Sequence, residues 1–258
     1  MLEILTGVLQ GLTEFLPISS SGHLVIISSL SSELDLNTND IAFLHIGTLF
    51  SIVFFYRKRI FEIFEDLETF IFYFKIILAG IIPAVLIGLL TPIQNFIDES
   101  PNLILITGAS YLIFSLLLIF SGKINNSEAL SIRDITVSQA FVIGIAQSIA
   151  LLPGVSRSGV TLLTAIYLGV KKADAIYYSL LLGIPTIFGA WSLTFINDSF
   201  QVNTNIVLPT IVAMFTGLLA IRVLINFTTS SKLQYFGYYC LLLLSLIHIS
   251  EPTRRPIL

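Results

Sequence analysis

Charge is scarce in this 258-residue chain, where Asp, Glu, Lys and Arg together make up 11%, against roughly 25% in ordinary soluble domains. So few charges cannot cover a water-facing surface. With 55% hydrophobic residues and a mean hydropathy of +0.92, the chain must take lipid as its solvent. Cysteine is nearly absent too. Cys240 is the sole one and lies in an apolar run, which excludes an intramolecular disulfide framework and argues against a cysteine-built metal site. The first residues hold Glu3 but neither Lys nor Arg, so the basic region of a cleavable signal peptide is missing and none is expected. What is abundant is aromatic: twenty Phe and nine Tyr suit a lipid-facing exterior and are no sign of a ligand box.

Apolar runs near the ~20 residues that cross a bilayer predict six full spans, at about Ile41–Tyr56, Phe70–Leu90, Leu103–Phe120, Ala175–Ile196, Ile206–Asn226 and Leu233–Ile249. The first and last are short and require thin local bilayer or little tilt. Two more apolar stretches, Leu2–Leu30 and Val137–Val170, are interrupted in the middle. One breaks at Leu16-Pro17-Ile18-Ser19-Ser20-Ser21-Gly22-His23, the other at Pro153-Gly154-Val155-Ser156-Arg157-Ser158-Gly159. Pro and Gly end the helix there, and Ser side chains compete for the freed backbone groups. Each half is too short to span, so each stretch is expected to be a re-entrant hairpin. Irregular backbone at that depth survives only against protein or a wet cavity, so both tips should be buried at a site.

The two broken stretches resemble each other. Gly7, Gln10, Ser19, Ser21 and Gly22 match Gly144, Gln147, Ser156, Ser158 and Gly159 at one offset of 137 residues. A hairpin plus three crossings changes sides an odd number of times, so the second copy must sit upside down, as in inverted-topology repeats. The expected fold is an all-α polytopic membrane protein with six full transmembrane helices and two re-entrant hairpins. It forms one membrane domain over 1–249, with repeats at about 1–122 and 137–249. Basic residues cluster in four loops, around Arg57, Lys58, Arg59 and Lys75, Lys123 and Arg133, Lys171 and Lys172, and Arg222 and Lys232. The opposite loops, at Glu33, Asp35 and Asp40, at Asp98 and Glu99, and at Asp198, hold none. The positive-inside rule makes the four basic loops cytoplasmic. Hairpin one then opens to the outer face and hairpin two to the cytoplasm.

Arg157 lies mid-hairpin, where a charge is costly and marks a functional site by default. Ser156 and Ser158 beside it, with Gly154 and Gly159 permitting close approach, suit a phosphate: a guanidinium fork, hydroxyl donors and exposed amides. A half-helix begins just afterwards and aims its N-terminal dipole at the same place, with Thr161 in its first turn. The plain alternative is an arginine capping helix carbonyls. Glu14 shares a helix face with Gln10 and needs a cation, a proton or donors at that depth. It suits a divalent ion bridging to phosphate, or else a protonated or Arg157-paired structural carboxylate. His23, following Ser19-Ser20-Ser21-Gly22, can serve as base or nucleophile or be structural. His45, inside a span, reads as helix packing or a hydrogen bond rather than catalysis. Pro83 and Pro185, beside Gly80 and Gly183, read as kinks, and Glu62, Glu65, Asp66 and Glu68 as a solvated loop. Together the tips suggest a phosphate-bearing lipid substrate, and no nucleic acid is expected. A flippase for polyprenyl phosphate remains the competing class.

At these residues the chain resembles the bacterial undecaprenyl-diphosphate phosphatases associated with bacitracin resistance. That family's first signature, Glu or Gln followed four residues later by Glu, looks like Gln10 and Glu14 and continues as Ser19-Ser20-Ser21-Gly22-His23. Its second, Pro-Gly-x-Ser-Arg-Ser-x-x-Thr, is unbroken from Pro153 to Thr161. The resemblance covers nearly the whole chain and departs only at the tail. It implies hydrolysis of undecaprenyl diphosphate to the monophosphate and phosphate in the bacterial cytoplasmic membrane, recycling the carrier for cell-wall synthesis. It implies essential Glu14 and Arg157, Ser20 and His23 near the reacting phosphate, Mg2+ or Ca2+, and a site open to the outer face. Gln10 cannot be a charged ligand, so this chain should hold metal more weakly than one with two carboxylates. Expected partners are a polyprenyl diphosphate, the bilayer and a second copy of the chain in a homodimer. The tail Ser250–Leu258 cuts the last apolar run short and puts Arg254 and Arg255 outside, so it is expected to be non-native. Deleting it should leave activity unchanged in a phosphate-release assay, and a requirement for either arginine refutes this.

Overall fold

The computed structural model describes residues 2–30, 38–121, 129–197 and 204–250. Expectations placed on Glu33, Asp35, Lys123, Asp198 and the tail from 251 onward lie outside them. Among the described residues every long element is a helix, as lipid demands of a backbone that must satisfy its own hydrogen bonds. In chain order they are α1 (Leu2–Phe15), α2 (Ser20–Leu30), α3 (Thr38–Phe55), α4 (Arg57–Glu65), α5 (Leu67–Leu90), α6 (Ile93–Asp98) and α7 (Leu103–Ser121). There follow α8 (Val137–Ser148), α9 (Arg157–Tyr167), α10 (Lys172–Asn197), α11 (Val207–Thr229) and α12 (Gln234–Ser250). Five of these, α3, α5, α7, α10 and α11, are long and apolar enough to cross a membrane. α12 stands where a sixth span was expected and has 17 residues. The charged stretch after α3 is itself helical as α4, and Asp66 caps α5 by accepting from Thr69 N–H at 2.9 Å. Pro83 and Pro185 lie inside continuous helices.

Polarity is distributed inside out. Gln10, Thr48, Ser51, Thr107 and Thr161 are fully buried, while Phe50, Phe61, Phe120 and Phe215 are largely exposed. Such a surface is stable only in lipid, and it makes the chain a multi-pass membrane protein. Buried hydroxyls bond back to helix carbonyls, as Thr107 Oγ1 does to Leu103 O at 2.7 Å. Others bridge helices: Ser51 Oγ donates to Met214 O at 2.7 Å.

The helices pack in crossed pairs. α1 lies on α11, α8 lies on α5, α3 contacts both α10 and α11, and α7 packs on α12. Close backbone approach makes this possible at Gly7, where a Cβ would overlap the Pro209 carbonyl, and at Gly144, where it would overlap the Gly80 carbonyl. At one end, the loops holding the basic residues interlock. Arg59 pairs with Asp174 at 3.1 Å, Asp174 also accepts from Ile132 N–H at 3.1 Å, and Arg133 donates to Thr69 at 3.0 Å. Lys172 reaches Ser231 at 2.6 Å.

Because Gly144 faces backbone rather than a movable side chain, Gly144→Leu should destabilise the fold by about 1–3 kcal/mol, the usual effect of overpacking. Thermal unfolding in detergent measures this, and an unchanged midpoint would show that α8 and α5 are not held in this contact.

Candidate active site

α1 stops at Phe15 because Pro17 cannot continue it, and α2 starts three residues beyond it at Ser20. Between them Ser19 adopts φ 62°, a left-handed conformation costing a non-glycine residue about 1–2 kcal/mol. Three donors hold it there. His23 gives Ser19 O its backbone N–H at 3.2 Å and its Nδ1–H at 2.7 Å, and the Tyr111 hydroxyl lies 3.0 Å from Ile18 O and 3.2 Å from Ser19 O. The second break runs through a short 3-10 turn, Ile149–Leu151, then Gly154 at φ 96°. Ser156 caps α9 by accepting from Gly159 N–H at 3.2 Å, as Ser19 accepts from Gly22 N–H at 3.3 Å.

The two turns are stitched together. The last carbonyls of a helix lack partners of their own, and those of α1 find them in the other turn. Ser158 Oγ reaches Glu14 O at 3.2 Å and Phe15 O at 3.0 Å, and Ser156 Oγ reaches Leu16 O at 3.4 Å. In return, Gly154 N–H donates to Ser19 Oγ at 3.2 Å. Ser158→Ala strips a buried helix end of its donor, which should cost about 1–3 kcal/mol. A melting midpoint equal to wild type would show that the hydroxyl does not carry this contact.

The stitch brings opposite charges together. Arg157 Nη2 meets Glu14 Oε1 at 2.5 Å, both side chains being mostly buried. Glu14 Oε2 accepts from Gln10 Nε2 at 3.0 Å and from Ser20 Oγ at 2.8 Å, and His45 Nε2 stands 3.5 Å from it. Arg157 Nη1 also reaches Thr186 Oγ1 at 3.3 Å. Gly183 leaves room for the guanidinium, since a Cβ there would overlap Nη1. A cavity of about 220 Å3 opens here, its polar wall made by Glu14, Ser19, Ser20, Ser21, His45, Ser156, Arg157 and Thr186 and its apolar wall by Ala150, Val155, Ile187 and Ala190. α2 and α9 begin at this cavity with Ser20 and Arg157, so two positive helix ends add to the guanidinium. The place is built for an anion with an apolar extension.

Of the residues picked out in the sequence, Glu14, Ser19, Ser20, Ser21, Ser156 and Arg157 line the cavity, and Gln10 backs Glu14 from behind. Gly154 and Ser158 belong to the stitch instead. Thr161 turns away, bonding Arg157 O at 2.8 Å and Ser179 at 2.6 Å. His23 requires a correction. It is 4% exposed, and its Nδ1–H is committed to Ser19 O while Nε2 accepts from the Tyr239 hydroxyl at 2.9 Å. Its ring stacks on Tyr239. Neither nitrogen faces the cavity; its neighbour in sequence, the tight turn, points it toward α7 and α12. Three contributors were missed: His45, read as packing, Gly183, read as part of a kink, and Thr186. The rule that an ionisable side chain inside a span marks a site would have found the first.

The donor set fits a resident Mg2+ or Ca2+ poorly. These ions need several free hard oxygens. Among the described residues Glu14 is the one carboxylate lining the cavity, and both its oxygens are taken by protein donors. Gln10 turns its amide nitrogen to Glu14, leaving Oε1 buried and unpartnered as a single spare oxygen. Among the described residues, no three His, Cys, Asp or Glu side chains gather to hold a metal.

Residues 3–246 match the family described as Bacitracin resistance protein BacA. The undecaprenyl-diphosphatase of Methanococcus vannielii is 39% identical over 249 residues, covering 94% of this chain and 96% of that one. That of Thermosipho africanus is 38% identical, covering 94% and 97%, and that of Halothermothrix orenii 35%, covering 92% of each. Over nearly its whole length, the turns and their charged pair included, this chain belongs to the bacitracin resistance protein BacA family.

Proposed function

We propose that this chain hydrolyses undecaprenyl diphosphate to undecaprenyl phosphate and inorganic phosphate, recycling the lipid carrier for cell-wall synthesis and conferring bacitracin resistance. The observation that carries it is the Arg157–Glu14 pair at a membrane-buried cavity onto which two helix N-termini open. A diphosphate entering there exchanges one anion for another at the guanidinium. Arg157, with Ser156 and the N-terminal amides of α9, then stabilises the charge that spreads over the transferring phosphoryl group. Glu14, released from the fork, keeps its hydrogen bond from Ser20 and orients that hydroxyl. Either Ser20 attacks the terminal phosphorus or a water does. The apolar wall of Ala150, Ile187 and Ala190 suits the start of an isoprenoid tail.

The same proposal includes six spans, two re-entrant hairpins and an inverted repeat in a bacterial cytoplasmic membrane. Support comes from the matched packing of α1 on α11 and α8 on α5 and from basic loops interlocked at one end. The positive-inside rule makes that end cytoplasmic, so the first hairpin, with Glu14, faces outward. A divalent cation, Mg2+ or Ca2+, enters the proposal as a companion of the diphosphate, whose oxygens it would neutralise. Homodimer assembly is an expectation of the same reading.

The test is phosphate release from a polyprenyl diphosphate by purified protein in detergent, without any gradient. Arg157→Ala and Glu14→Gln should each lower kcat/KM by about a thousandfold or more. Gly183→Val, which displaces the guanidinium without removing it, should lower it by about a hundredfold. Acid quenching separates the two attacks: a trapped phosphoserine lost in Ser20→Ala means a covalent route, and full activity in Ser20→Ala means water. No release across metals and pH would instead favour lipid transport through the same broken helices.

A further inference from the structure

The phosphatase reading needs a group that takes a proton from the attacking hydroxyl, and His23 is not placed to do it. Both its nitrogens are spent on Ser19 O and Tyr239. The cavity nevertheless holds an imidazole. His45, on α3, is 29% exposed at its side chain and lines the cavity wall. Its Nδ1 lies 2.8 Å from Ile41 O. A carbonyl oxygen can only accept, so Nδ1 carries a hydrogen, and in the neutral form of the ring Nε2 is the bare acceptor.

That acceptor faces another. Nε2 is 3.5 Å from Glu14 Oε2, the oxygen to which Ser20 Oγ donates at 2.8 Å. The carbonyl that aims the ring comes from one turn earlier in α3, so the ring's direction is fixed by its own helix. α3 in turn is locked against α11 by Ser51, which donates to Met214 O. Among the described residues, the contact given for the remaining nitrogen of His45 is the one to Glu14 at the cavity.

We propose that His45 is the catalytic base of this enzyme, acting through Nε2 on the hydroxyl that Glu14 Oε2 orients. This rests on the phosphatase reading. As the attacking oxygen forms its bond to the terminal phosphorus, its proton passes to Nε2. The bond from that phosphorus to the bridging oxygen breaks, and its electron pair leaves on undecaprenyl phosphate. The imidazolium then gives the proton to the departing phosphate, restoring the ring. In the serine route a water repeats the transfer, releasing inorganic phosphate from Ser20. Arg157 gathers the negative charge throughout, which leaves Glu14 and His45 to handle the hydrogen. Water is the co-reactant, and no oxidant or reductant is needed.

The experiment compares wild type, His45→Ala, His45→Asn and Arg157→Ala for steady-state phosphate release from a polyprenyl diphosphate, with melting curves for each. His45→Asn can still donate to Ile41 O but has no atom at Nε2, so a merely structural histidine would be rescued by it. Both His45 variants should lose about a hundredfold or more in kcat, with KM within about threefold, melting midpoints near wild type, and partial recovery of His45→Ala with added imidazole. Activity of His45→Asn close to wild type, or a loss confined to KM, overturns this assignment while leaving the phosphatase reading intact. A wild type that releases no phosphate, or an Arg157→Ala variant as active as wild type, overturns both.

Discussion

Everything at this site depends on one ion pair that the bilayer makes expensive to break. An isolated carboxylate or guanidinium at membrane depth has no water to turn to, and separating a buried pair typically costs 3–5 kcal/mol, to order of magnitude. Glu14 and Arg157 come from turns far apart in sequence, and each neutralises the other. The pair therefore fastens the two broken segments together while the site is empty. It also prepares the site, because an anion of higher charge can replace Glu14 at the guanidinium. Ser158 contacts the last carbonyls of α1 and Ser156 the Leu16 carbonyl just beyond it, which holds the two turns in register.

The two turns are near copies in hydrogen bonding but not in charge. Ser19 and Ser156 each accept from a glycine N–H three residues on, and Ser19–Ser21 and Ser156–Ser158 are both in hydroxyl contact. At the offset of 137 residues, however, Glu14 corresponds to Leu151 and Arg157 to Ser20. One turn contributes the acid and a nucleophile-type hydroxyl, the other contributes the cation. Two acids or two arginines at equivalent places would have repelled each other in a medium with little screening. Dividing the charges between the two similar turns makes a polar site where they meet.

Much of this was legible because lipid leaves few places for polar residues. The breaks at Pro17 and Pro153 and five of the six expected spans follow from composition and spacing, and the pairing of Glu14 with Arg157 was one of the alternatives they left. Side-chain direction within a tight turn did not. Ser156, Ser158 and Thr161 are adjacent in one motif, yet only Ser156 reaches the cavity, since Ser158 is drawn to the carbonyls of α1 and Thr161 to Ser179. His23 follows three serines but is carried away by the left-handed turn at Ser19 and by Tyr111 and Tyr239, partners remote in sequence. His45, with no motif around it, lines the cavity because α3 crosses behind Glu14. Gly183 looked like a companion of Pro185, and only the position of Arg157 reveals its role.

The crossed packing has a consequence for how the protein is made. α1 rests on α11 and α8 on α5, so a ribosome that has just delivered α1 has not yet synthesised the surface it will occupy. Until α9 emerges, the first segment carries Glu14 into the membrane without Arg157, its counter-ion. It must wait at the lipid–water boundary or within the insertion machinery. The packing of each half is thus complete only once both have been delivered, like clasped hands.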